Sequence, residues 1–318
     1  MLKYTGCLKG TQELTPREYQ QFNNQFSRKL IWHFGTGNGF YSELNGLLLG
    51  VLYAAQYGYR FVLYAQDNKA GMYQGWEDVF QSFCPRYHFP LIGRSILIGT
   101  SHNCHRNKLT NFYKLFSSDI TEDDVFWYTH TNRFALAQYD IPTLGIKGDI
   151  HQAMRRLIPL VYRFNDYYRN LIDTLHTTLP LPQQYVGFHI RSGDKAQETA
   201  LIPPQRYIDA ATQATSIRNA FIYTDDVNIV TQLQKDNPQW NILSYADNND
   251  TGYNIQKWAT VAQDKHRRQL VKMFASVEIL LQSELFVGTF SSNPGMFIGM
   301  LLDRQHIIGM DYPEWLLL

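Results

Sequence analysis

Between residues 185 and 310 short apolar runs alternate with longer stretches of helical periodicity, and this alternation constrains the fold more than any other feature. The runs are YVGFHI (185–190), AFIYT (220–224), NILSY (241–245), LFVGTF (285–290) and HIIGM (306–310). Between them lie stretches at about 204–214 and 227–236, and a long one at about 263–283 with Leu270, Phe274, Val277 and Leu281 on one face; a further helix begins at Ser292 or Asn293. Runs this short and apolar read as buried strands, and strands separated by single helices predict a parallel sheet covered on both faces.

The first half repeats the theme less cleanly. Leu30 to Phe34 reads as a strand, followed by Gly35-Thr36-Gly37-Asn38-Gly39 and a helix over about 41–57, where Leu44, Leu47, Leu48, Val51 and Leu52 recur at helical spacing. Tyr59 to Ala65 is the next strand. The G-x-G-x-G pattern is not the dinucleotide fingerprint, because its third glycine comes too early, and no phosphate-loop motif occurs. The glycines would allow close approach to a ligand or simply make a tight turn. Residues 1–27 read as a helix or loose arm and 66–93 as loop. Ser95–Gly99 and Asp124–Thr129 read as strands, and 149–175 as a helical region with a kink or break at Pro159. The prolines of TTLPLPQQ (177–184) mark a linker, so the expected domains are 1–180 and 181–318.

Composition excludes several classes. At 44% hydrophobic and 18% charged, the chain can bury a core, and a net charge of +1 gives no general attraction for nucleic acid or anionic lipid. Cys7, Cys84 and Cys104 are too few and too scattered for a disulfide framework. The N-terminal residues lack the apolar core of a signal peptide, and the longest apolar run, 47–55, is interrupted by Gly50. These features predict a soluble cytoplasmic protein. Aromatic residues reach 14%, with 21 Tyr and 6 Trp, as in sugar-binding proteins, although core filling is the commoner cause. His102, Cys104 and His105 match no common metal-ligand spacing.

The candidate chemistry lies where strands end, because ligands of open α/β sheets bind at the carboxyl edge. After 185–190 come His189, Arg191, Asp194, Lys195 and Glu198, a set suited to an anionic ligand with proton chemistry beside it. After 285–290 come Ser291, Ser292, Asn293 and Pro294, a capped helix start whose free N–H groups and hydroxyls suit an anion. Two such ends in one sheet point to a phosphate pocket. Asp225 and Asp226, after the second run's FIYT, suit a metal, ribose hydroxyls or a helix cap. The basic cluster Lys265-His266-Arg267-Arg268 suits a phosphate, an acidic partner or solvent.

HIRSGDK, IYTDD and LFVGTFSSN, in that order, resemble the alpha-1,6-fucosyltransferases and the related rhizobial nodulation fucosyltransferase; the early G-x-G loop and YRFVLY fit the same family. The resemblance implies a GT-B-like α/β fold, with two facing Rossmann-like domains and mainly parallel sheets. It implies an inverting, metal-independent transfer of fucose from GDP-fucose to a glycan hydroxyl, with no cofactor beyond the donor. By the same resemblance Arg191 would hold the leaving β-phosphate, His189 the nucleoside with Asp225 or Asp226 nearby, and Ser292 a phosphate. Gly37 and Gly39 would approach the nucleotide from the first, acceptor-side domain. Lys195 would support the leaving group, and Glu198 falls at the family's base if one gap is allowed. Two positions depart from the pattern. Ser192 stands where the family has a second arginine. The guanine-reading aspartate maps to Ser276, with Glu278 the nearest acid.

The chemistry of such a transfer needs a base for the acceptor hydroxyl and positive or N–H groups for the departing diphosphate. Glu198 could meet the first need, and Arg191, Lys195 and Ser292 the second. Other readings remain: a transferase of another nucleotide sugar, a non-catalytic nucleotide-sugar or glycan-binding protein, and a Mg²⁺-dependent phosphotransferase.

Overall fold

The structure is a computed structural model; it describes residues 13–35, 38–65, 75–87, 117–192, 201–252 and 263–312. These fall into two compact units, the first ending at Tyr167 and the second beginning at Tyr168.

The first unit opens with α1 (Pro16–Asn23), started by a Thr15–Glu18 capping box and Pro16. β1 (Lys29–His33), α2 (Phe40–Tyr57) and β2 (Arg60–Tyr64) follow the expected order. β3 (Ile120–Thr121) completes a parallel sheet ordered β2-β1-β3. The stripe Leu44, Leu47, Leu48, Val51 and Leu52 is fully buried. Gly50, which interrupts the apolar run, lies against Trp32: a Cβ there would sit 2.3 Å from the indole ring. Trp76 stacks on Phe80 with centroids 4.5 Å apart and meets Phe34 edge-on at 5.3 Å, so these rings belong to the core.

One expectation fails here and another shifts along the chain. Residues 124–129 are not a strand but part of α3 (Glu122–Thr129). DVFWYT has strand propensity, yet Thr121 donates its N–H to Asp124 Oδ2 at 2.9 Å. Three acids in the first turn also favour a helix start. After α4 (Asn132–Ala135), β4 (Tyr139–Ile141) and β5 (Ile146–Gly148) form an antiparallel hairpin that the sequence reading did not contain. Of the kink or break expected at Pro159, the break comes a few residues later. Pro159 lies inside α5 (Ile150–Val161), and the chain leaves the helix only at Tyr162. Near a C-terminus proline removes one hydrogen bond, and the helix has almost ended there anyway. The expected strand at 95–99 and the His102–His105 group lie outside the described residues.

The second unit begins with α6 (Asp166–His176), most of which belongs to it. Then come β6 (Val186–Ile190), α7 (Gln205–Ala214), β7 (Asn219–Thr224), α8 (Val227–Asp236), β8 (Asn241–Ser244), α9 (Gln263–Leu280), β9 (Leu285–Gly288), α10 (Asn293–Leu301) and β10 (Ile307–Gly309). All five strands are parallel, in the order β10-β9-β6-β7-β8. β6 is buried along its whole length, as a central strand covered on both faces must be. Val186, Phe188 and Ile190 pack with Tyr207, Ile208 and Ala211 of α7 and with Val230 and Leu233 of α8. By alternation Gly187 and His189 face the other way. Leu280 and Ser283 lie close to Gly187 on that side. Among the described residues, no helix is long and apolar enough to cross a membrane.

Candidate functional site

Strand order fixes where a ligand can sit in the second unit. β6 leads through α7 to β7 on one side, whereas its other neighbour, β9, leads through α10 to β10 away from it. The crevice at such a reversal is the usual ligand position in open α/β sheets. The residues leaving β6 are Arg191 and Ser192, and those leaving β9 are Thr289 to Ser292. The β6–β9 register pairs Phe188 with Val287, so continuing it sets Ile190 level with Thr289.

The β6 end is held by the end of β7. Arg191 Nη1 lies 3.5 Å from Asp225 Oδ2, and its side chain is 21% exposed, so the guanidinium is both positioned and reachable. The Ser192 N–H donates to Asp225 Oδ1 at 2.9 Å, and its hydroxyl reaches Asp226 Oδ2 at 3.4 Å. Asp226 also caps α8, accepting from the Asn228 N–H at 3.0 Å. A further layer fixes Asp225: its carbonyl accepts from the Gly252 N–H at 2.7 Å, and the Asp250 carbonyl takes the Val227 N–H at 2.8 Å. Lys272 anchors that segment through Asp247 at 2.5 Å and Asp250 at 3.2 Å. The Lys272 hydrogen bond holds Asp247 down at about 2.

His189 is the feature that most invites a ligand. It is 1% exposed, lies nearly parallel to Tyr223 with centroids 5.0 Å apart, and neither ring nitrogen has a hydrogen-bond partner. Burial, reinforced by Arg191, pushes its pKa down to about 3, so it is a neutral ring with one donor and one acceptor. Buried polar atoms are rarely left unsatisfied, because each costs about 1–3 kcal/mol. A Cβ on Gly295 would lie 3.6 Å from His189 Nδ1 and only 2.0 Å from the Thr289 carbonyl oxygen. The first turn of α10 therefore comes down beside His189, and only glycine fits. Ser292 is the N-cap of α10 but makes no side-chain capping bond, so its hydroxyl is not engaged in capping the helix.

His189, Arg191, Asp225, Asp226, Ser291 and Ser292 thus share one edge of one sheet. Asp194, Lys195, Glu198 and Gly37 lie outside the described residues. Gly39 is the N-cap of α2 in the first unit.

Glu278 does not join the group. It lies near the end of α9, beside the start of β6, where the Tyr185 hydroxyl donates to the Ile279 carbonyl at 2.8 Å. That is the amino edge of the sheet. Its carboxylate is already engaged, by Arg169 at 2.6 and 2.9 Å and by His176 at 3.2 Å. Burial would raise its pKa, but the bonds from His176 and Arg169 outweigh that and hold it low. It is an internal counter-ion, so the acid nearest to Ser276 lies away from the strand ends that carry the other candidates. The basic cluster at 265–268 sits on the first turns of α9, where Arg267 pairs with Asp264 at 2.7 Å.

The corresponding edge of the first unit has the opposite character. The Glu43 carboxylate accepts from the N–H groups of Gly35 and, at 2.9 Å, Asn38, so it grips the glycine loop from inside. Nearby Glu122 is pushed up to about 8 by burial, then by Asp123 and Glu43, against a bond from the His33 backbone. Glu43, Glu122 and Gly295 are not among the residues the sequence singles out. Acids just inside a helix start were the available signal for the first two, and the NPG tripeptide for the third.

Two units with mainly parallel sheets, the second a complete five-stranded set with an anion-suited edge, define the GT-B type of α/β architecture. No protein-family model matches the chain, and no curated protein matches it in sequence. Solved structures do. The alpha-1,6-fucosyltransferase NodZ co-crystallized with GDP superposes at a TM-score of 0.55 and 14% identity, over 91% of this chain and 97% of that one. Fucosyltransferase NodZ from Bradyrhizobium gives 0.55 and 14%, over 90% and 96%. NodZ soaked with GDP-fucose gives 0.53 and 12%, over 87% and 93%. At these identities the likeness establishes the fold, and it is the fold expected from HIRSGDK and TFSSN.

Proposed function

We propose that the chain is an inverting glycosyltransferase that moves fucose from GDP-fucose to a glycan hydroxyl without a metal ion. The observation that carries this reading is the meeting, at the β6–β9 reversal, of Arg191, the serine pair at the start of α10, and a buried His189 with two unsatisfied nitrogens. A guanidinium, hydroxyls and helix N–H groups suit a departing diphosphate, and a neutral imidazole suits the nucleoside. The structures of similar fold were obtained with GDP and GDP-fucose.

In this reaction the acceptor oxygen attacks the anomeric carbon of the sugar. The bond from that carbon to the β-phosphate oxygen breaks, and its electron pair leaves with GDP. Glu198 takes the acceptor proton; Arg191, Lys195 and Ser292 meet the growing negative charge. The acceptor is an oligosaccharide or other glycan, and the working compartment is the cytoplasm.

One observation favours a second reading, a nucleotide-sugar-binding protein without turnover: the second-arginine position is Ser192, whose hydroxyl is turned to Asp226. GDP release from GDP-fucose, followed with and without a mixture of oligosaccharide acceptors, separates the two. Acceptor-dependent release supports the transferase. Thermal stabilisation by GDP-fucose without release supports the second reading, and neither effect at concentrations well above a micromolar range removes both.

A further inference from the structure

We infer that Asp311, just beyond β10, is the positioning residue that presents the serine pair to a diphosphate. This deepens the donor reading above and rests on it. The Asp311 carboxylate bridges two consecutive main-chain donors of the loop between β9 and α10. Oδ1 accepts from the Phe290 N–H at 2.7 Å, and Oδ2 from the Ser291 N–H at 2.8 Å. Oδ1 also takes the N–H of Tyr312 at 3.0 Å. The adjoining backbone is fixed as well: the Met310 N–H donates to the Gly288 carbonyl at 2.8 Å, and β10 lies parallel to β9.

Two consequences follow for the anion site. First, the N–H groups of Phe290 and Ser291 are taken by a carboxylate inside the protein, so they are not the donors that meet a phosphate. The serine hydroxyls and the first turn of α10 have that task. Second, a short loop held by both oxygens of one carboxylate cannot rotate its peptide planes independently. The direction of the Ser291 and Ser292 side chains is therefore set from behind, by a residue that touches no ligand. Charge-assisted bonds of this kind are short and about twice as strong as neutral ones. An amide in place of the carboxylate would turn its NH₂ group toward one of the two N–H donors and release it.

The test compares the full chain with its Asp311→Asn and Asp311→Glu variants by calorimetric titration with GDP and, separately, with guanosine. Hydrogen exchange of the peptide spanning 286–297 is recorded alongside. The expected result is a GDP affinity at least tenfold weaker in Asp311→Asn, guanosine affinity within twofold of the parent, and an intermediate GDP affinity in Asp311→Glu. Exchange at Phe290 and Ser291 should be faster in Asp311→Asn with the rest of the unit unchanged. Equal weakening of GDP and guanosine would mark a merely structural role and overturn the inference, as would unchanged GDP binding with faster exchange. If Asp311→Asn does not fold, Asp311→Glu carries the same comparison. Failure of the parent protein to bind either GDP or guanosine removes the donor reading and this inference together, a result distinct from all the others.

Discussion

Arg169 and Glu278 are joined twice across 109 residues of chain, Nη1 to Oε1 at 2.6 Å and Nη2 to Oε2 at 2.9 Å, which ties α6 to α9. Glu278 is 1% exposed, and His176 closes the group from its other side. The Arg169 side chain is 30% exposed and keeps Asp173 at 2.8 Å, so loss of Glu278 does not strand it. Glu278→Ala is therefore expected to destabilise the second unit by about 1–3 kcal/mol while leaving GDP affinity in the folded protein near its parent value. Urea unfolding and titration with GDP check the two halves separately; a large loss of affinity with intact stability would return Glu278 to the binding site.

Gly295 permits the closest backbone approach at the site, and even a methyl group has no room beside Thr289. Gly295→Ala should displace the first turn of α10, costing about 1–3 kcal/mol by overpacking. It should weaken GDP binding beyond what the stability loss explains. Thermal unfolding with and without GDP measures both effects.

The proposed roles of Arg191 and Glu198 separate kinetically. Arg191→Ala removes a charged hydrogen-bond donor worth about 1.5–3 kcal/mol, so GDP affinity and turnover fall together. Glu198→Gln keeps donor binding and lowers turnover roughly 10²–10⁴-fold. Steady-state rates with donor titration distinguish them, and near-normal turnover in Glu198→Gln would reject the base assignment. Turnover is expected to be unchanged in EDTA; its loss would favour a metal-dependent phosphotransferase.

Two groups tilt stability with pH in opposite directions. His189 has its folded pKa depressed from 6.5 to about 3, so within that window the unfolded chain binds a proton that the folded chain refuses. Its contribution is full above pH 6.5 and is lost as pH falls, by up to about 1.4 kcal/mol per pH unit. Glu122 has its folded pKa raised from 4.5 to about 8, so its contribution is present below pH 4.5 and is lost as pH rises through 8. The difference in urea stability between the parent and His189→Gln should therefore slope below pH 6.5 and be flat above it. For Glu122→Gln the difference should slope between 4.5 and 8 with the opposite sign.

The sheet of the second unit was legible because each of its strands is a short apolar run closed by polar residues, and the element between two strands is a single helix. Such local periodicity survives without tertiary information. The strand ends were legible for the same reason: Arg191 and Ser292 are where they are because the runs stop before them. What could not be read depends on distant partners. Nothing local says that Glu278 meets Arg169, or that Asp311 reaches back to Phe290 and Ser291. DVFWYT went wrong because strand propensity was weighed without the Thr121–Asp124 cap that begins a helix there. What Pro159 does depends on how much helix remains after it, which no local pattern fixes.

Glu43 gives the glycine loop of the first unit a meaning of its own. Amide groups that could have cradled a phosphate are already answered by a fixed negative charge, with a second acid held close behind. The two sheets' described tips are thereby made chemically unlike: at the first the main-chain donors of Gly35 and Asn38 are answered from within, and at the second the Ser292 hydroxyl is not used to cap its helix. Of the described strand tips, the second unit's is therefore the one suited to the diphosphate proposed above.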